Sequence, residues 1–178
     1  MSRIDGLDST IGLEVYDLIR TILDPQIVLE DTMMEKIQKR LALSGALLFF
    51  VSMALGLWAV VALTGAVKVG IPRESLTPHL TGSLGGLWLI TVAWTFKFLH
   101  YGEKGLRRLA VGVAFPAWAN LLVTLFASIV GARGLWYDGQ LANDVVSFLL
   151  QATVVLPTLI ACGFWVNGFR TKRQQPAS

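Results

Sequence analysis

An all-α integral membrane protein, a bundle of four transmembrane helices preceded by an amphipathic N-terminal helix, is the fold class this sequence predicts. Three observations lead there. The 178-residue chain is 54% hydrophobic and only 15% charged, with mean hydropathy +0.60, where soluble domains carry about 25% charged residues. Four apolar segments are each long enough to cross a hydrocarbon core, which takes about 20 helical residues. Lys and Arg cluster at the ends of those segments, so the net charge of +3 reads as a set of topology signals and not as a nucleic-acid surface.

The N-terminal arm, residues 1–35, comes first. Ile11, Val15, Leu18, Ile19, Ile22 and Leu23 recur at helical spacing while Glu14, Asp17 and Arg20 take the other face, which is an amphipathic helix. Ser9 and Thr10 offer N-caps, and Asp24-Pro25 breaks the helix. The arm suits the membrane surface, the bundle or a soluble partner. The transmembrane domain comes next, over residues 36–170, with spans at about 41–67, 80–99, 109–132 and 145–169. Each is helical because an apolar run in lipid has no other way to satisfy its backbone. A short tail, residues 171–178, closes the chain.

Orientation comes from charge. Lys36, Lys39 and Arg40 precede the first span; Lys104, Arg107 and Arg108 fill the middle connection; Arg170, Lys172 and Arg173 end the chain. The other two connections carry Lys68 and Arg73, and Arg133 alone. Both termini are therefore expected on the cytoplasmic side. No signal peptide is expected, because acids run through the first ~40 residues without an apolar core. The single cysteine, Cys162, excludes an intrachain disulfide.

Polar residues within apolar segments are the functional candidates. His79 opens the second span ahead of Gly82, Gly85 and Gly86; it is either an interfacial residue or a metal ligand. His100 lies 21 residues on, about 31 Å along a helix, so the two cannot clamp one metal group from one helix. Asn120, at the middle of the third span, must face protein, water or a ligand, and Pro116 kinks the helix one turn earlier. Gln151, Pro157 and Asn167 repeat the pattern in the fourth span. Arg133 suits a carboxylate or a lipid phosphate. Hydrolytic machinery and phosphate loops are missing from the sequence.

The order and spacing of these residues resemble the membrane-bound styrene oxide isomerases. The resemblance rests on Gly56-Leu57-Trp58 in the first span, His79 and Gly82 opening the second, and Glu103-Lys104 before the third. Trp118-Ala119-Asn120 within the third and Arg133-Gly134-Leu135 after it complete the set. It covers about residues 39–170. It implies a homotrimer in a bacterial inner membrane, with haem b held between subunits by the histidine matching His79. It further implies that ferric iron acts as a Lewis acid on a hydrophobic epoxide, which rearranges through a benzylic cation and a hydride shift to an aldehyde. On this reading His79 is the metal ligand and Arg133 a propionate partner. Trp118, Gly82 and Gly85 flank the cofactor, and Asn120 and Thr124 face the substrate. Gly85, Thr124 and Pro116 stand where the family carries an asparagine, a tyrosine and an acid; Gly85 and Thr124 in those places imply a roomier pocket for a bulkier substrate or another reaction. Two other functions stay open at this point: a haem protein for redox, gas sensing or haem handling, and a non-catalytic membrane subunit.

Overall fold

The structure, a computed structural model, describes residues 25–67, 72–134 and 136–170. The amphipathic helix expected at residues 11–23 lies outside the described residues. The chain divides into two compact units, Met1–Lys36 and Ile37–Ser178, and the second carries the site.

Helix α1 (Pro25–Leu63) starts on a proline, whose fixed φ suits a first helical position. The expected boundary at residue 35 thus falls inside a helix. Its end comes four residues before the expected limit of 67, where Gly65 takes φ +74°. A 3-10 turn (Pro72–Ser75) leads into α2 (Leu76–Thr95), which runs on through a second such turn (Phe96–Phe98). Leu99 is extended, which ends the segment. Helix α3 (Glu103–Val130) closes on Gly131 at φ 74°, whose N–H bonds the Ala127 carbonyl; a left-handed C-terminal residue is cheapest as glycine. Helix α4 (Leu141–Arg170) is α-helical except for a π-wound stretch, Leu150–Val155.

That π stretch has a local cause. Pro157 has no N–H to offer the carbonyl of Thr153, four residues back. The wider π winding just before it re-spaces the turn, a device common at functional sites. Pro116 imposes the same loss inside α3, where it is fully buried.

Among the described residues three helices are long and apolar enough to cross a membrane: Met33–Leu63, α3 and α4. Helix α2 does not reach that apolarity, because Thr77, His79, Thr81, Ser83 and Thr91 share its 20 residues with three glycines. No strand occurs among the described residues. Large side chains point outward, with Phe50 71% and Leu57 72% exposed. In water that would be an aggregating surface; in a bilayer it is the lipid-facing one.

The core is built by close helix contact. Gly45 on α1 faces Gly86 on α2 so tightly that a Cβ on either would lie 2.7 Å from the other's carbonyl oxygen. Gly82 faces Ser52 and Leu121. Small residues let backbones approach in this way in lipid, where burial alone gives no drive.

Candidate functional site

Two faces of α2 carry the polar chemistry. His79, Gly82, Ser83 and Gly86 meet α1. Thr81, Leu84, Gly85 and Trp88 line a recess of about 460 Å³ against α3 and α4.

On the first face, His79 is half-buried and its Nδ1 lies 2.8 Å from the carbonyl oxygen of Ser52. A carbonyl only accepts, so Nδ1 carries the proton, and in the neutral imidazole Nε2 keeps its lone pair. Ser52, fully buried, also donates its hydroxyl to the backbone carbonyl of His79. Ser83 Oγ reaches the same carbonyl at 2.7 Å and Ser52 Oγ at 2.7 Å. The imidazole lies against Gly56, where an added Cβ would sit 3.0 Å from Nδ1. Two residues on, the indole N–H of Trp58 is buried with no partner among the described residues.

The recess on the second face is apolar apart from Asn120, Thr81 and Thr158. Pro116, Ala117 and Asn120 bring α3 to it; Val154 and Val155 of the π-wound turn, with Thr158 and Leu159 beyond it, bring α4. No hydrogen bond among the described residues takes up the Asn120 amide; its backbone carbonyl accepts Thr124 Oγ1 at 2.7 Å. An apolar hollow with one open amide can seat an apolar molecule and donate one hydrogen bond to an oxygen or nitrogen on it.

The sequence-derived residues therefore divide. Gly85 and Asn120 line the recess. Thr124 is buried beneath it, 3.2 Å from Thr81 Oγ1. Gly82 is a packing contact between α1 and α3. Trp118 turns to α1, its Nε1 donating to Ser44 Oγ at 2.9 Å. His100 is exposed and tied to the Gly168 carbonyl at the end of α4. Arg133 is exposed on a polar hollow of about 330 Å³ that it shares with Asp138, Gln140 and Asn143.

Two residues with a part here carried little signal in the sequence. Ser52 is one serine in an apolar helix, and its partner lies 27 positions away. Asn143 holds the loop beside Arg133: its Oδ1 accepts from Gly134 N at 2.8 Å and its Nδ2 donates to the Trp136 carbonyl at 2.6 Å. The signal for Asn143 was an amide opening an apolar segment. Among the described residues no group of three or more His, Cys, Asp or Glu side chains could hold a bare metal ion.

The family model described as styrene oxide isomerase matches residues 37–170, the stretch that holds both faces of α2 and their neighbours. The chain is similar to a hydroxylaminobenzene mutase of Ectopseudomonas oleovorans, 30% identical over 108 residues, or 56% of this chain. That match spans 65% of the mutase, just under two thirds of its length. It is also similar to a styrene-oxide isomerase of Pseudomonas fluorescens, 26% identical over 145 residues, 74% of this chain and 85% of that protein.

Proposed function

The chain belongs to the styrene oxide isomerase family, and on that footing we propose that it is a haem b-dependent membrane isomerase converting a hydrophobic epoxide to an aldehyde. The observation that carries the reading is His79. Its Nδ1–H is given to a backbone carbonyl, which is how ligating histidines are oriented and their basicity raised, and Nε2 is left to bind iron. The Trp58 N–H, with no partner among the described residues, adds a donor on the same helix as Gly56. With this donor set His79 would hold the haem iron and Arg133 would pair with a propionate.

The proposed reaction is an isomerisation. The C–O bond at the more substituted carbon breaks, a hydride moves there from the carbon that keeps the oxygen, and a C=O bond forms. Nothing is added or lost. Bound haem supplies the Lewis acid that draws charge from the epoxide oxygen. His79 holds and orients the iron. Asn120 donates its amide to the oxygen as negative charge develops there. Val154, Val155, Leu159 and Leu84 keep water from the cationic carbon.

The assembly and its setting belong to the same proposal. His79 and the recess lie on different faces of α2, so a site using both is completed by a second copy. A head-to-tail contact of that kind closes into a ring, and a homotrimer is the ring we propose. Helix α2 is the fourth span, sheltered by its neighbours, in a bacterial inner membrane with both termini cytoplasmic.

A second reading has its own support in the likeness to hydroxylaminobenzene mutase. The same recess would seat an aryl hydroxylamine and Asn120 would bond the N–O oxygen; the N–O bond would break, the hydroxyl would bond a ring carbon, and the proton that carbon loses would be balanced by one gained at nitrogen. The test is product analysis after purified, haem-loaded protein meets aryl-substituted epoxides and hydroxylaminobenzene. An aldehyde of unchanged mass supports the first reading and an aminophenol the second. Neither product, from protein with an intact haem spectrum, contradicts both.

A further inference from the structure

We propose that Ser52 and Gly56 form a clamp on α1 that fixes His79 in one tautomer and one direction. The inference rests on the reading of His79 as the haem ligand, and it adds the residues that position that ligand.

The clamp is built from backbone and side chain together. In an α-helix the carbonyl of residue i is covered by the turn that includes residue i+4. For Ser52 that residue is Gly56, which has no side chain, so the imidazole reaches the carbonyl and bonds it at 2.8 Å. A Cβ on Gly56 would lie 3.0 Å from Nδ1 and 3.1 Å from Cε1, closer than the ring accepts without turning. The Ser52 hydroxyl then takes hold of the same histidine from the other end, at its backbone carbonyl.

Ordinary behaviour of a serine in an apolar helix does not explain this. Such a hydroxyl usually bonds its own helix three or four residues back, as Ser83 does to the His79 carbonyl at 2.7 Å. Ser52 instead crosses to α2, where it meets both Ser83 Oγ and the His79 carbonyl. Two hydroxyl protons serve three short contacts, so this cluster admits few arrangements. Ser52 thus contacts residue 79 through its carbonyl and its hydroxyl, and a purely structural tie would need only one. Ser52 and Gly56 are positioning residues, acting on the site through the imidazole.

The chain has two histidines, so His100→Ala leaves His79 as the sole reporter. Full-length His100→Ala protein labelled with 15N-histidine is compared by NMR in nanodiscs, as purified and after addition of haemin. The background protein is expected to show one Nδ1–H tautomer, protected from exchange. Gly56→Ala is expected to mix the tautomers. Ser52→Ala, which keeps the backbone carbonyl but loses the hydroxyl, is expected to keep the tautomer and loosen the ring's direction. Both should shift the EPR signature and midpoint potential of the haem and weaken haem retention about tenfold. Ser44→Ala is the structural control; it removes a different bond from α1, to Trp118, and should leave the His79 spectra unchanged.

Background tautomer and haem signature in both Ser52→Ala and Gly56→Ala would overturn the clamp. Loss of haem in His79→Ala alongside that result would leave the ligand reading standing. Failure of the background protein to take up haem, with its tautomer still fixed and released by Gly56→Ala, would remove the ligand reading and keep the clamp. If Ser52→Ala does not fold, Gly56→Ala decides, since it leaves both Ser52 groups in place.

Discussion

Replacing Gly86 by alanine probes the contact on which the site depends. The added Cβ would lie 2.7 Å from the Gly45 carbonyl oxygen, 2.8 Å from Phe49 N and 2.9 Å from Phe49 Cβ. Two of those three atoms are backbone, so no rotamer change relieves them. To reach the 3.4 Å of ordinary contact, α1 and α2 must part by about 0.7 Å at that level. Overpacking of this kind costs about 1–3 kcal/mol. At about 2–4 °C per kcal/mol for a chain of this size, the midpoint of thermal unfolding should fall by about 2–12 °C. Gly163→Ala is the matched comparison. Nothing lies within 4 Å of a Cβ there, and alanine is the better helix former by about 0.8–1.0 kcal/mol, so its midpoint should hold or rise. The assay is tryptophan fluorescence during a thermal ramp in one detergent. Equal midpoints for the two variants would refute the claim that α1 and α2 are in backbone contact.

Four further substitutions test the same geometry. Asn120→Leu should lower turnover about 10²–10³-fold, the effect of losing one donor to developing charge, while the haem spectrum stays unchanged; unaltered turnover would remove Asn120 from the mechanism. Asn143→Ala leaves the buried Gly134 N–H without its partner and the Trp136 carbonyl with Ser147 Oγ alone, so stability should fall by about 1–3 kcal/mol in denaturant titration. Trp118→Phe and Ser44→Ala each break one hydrogen bond, at about 0.5–1.5 kcal/mol. The double variant should be no worse than the sum less that shared bond, and strict additivity would argue against the contact.

The helices were legible because apolar length is a one-dimensional property. The runs that become α1, α3 and α4 could be read without knowing any partner. Helix α2 was harder. Its Gly82-x-x-Gly85-Gly86 reads as close helix packing, but which neighbours those glycines meet becomes plain only with α1 and α3 placed against them. Asn120 and Gly85 were legible as residues around one hollow. Trp118 was not, because its direction depends on Ser44, 74 positions away. The π-wound turn also escaped: Pro157 announces a lost hydrogen bond but not how the helix absorbs it. Ser52 gave no signal, since its meaning comes entirely from the imidazole opposite.

The central claim is that His79 holds a haem. The most direct test is the visible spectrum of detergent-purified protein, expressed with haem and recorded before and after dithionite. We expect a Soret band and a haem b pyridine haemochrome in the unaltered protein and in His100→Ala, and loss of both in His79→Ala. A flat spectrum from well-folded protein, or equal loss in the two histidine variants, would contradict the account.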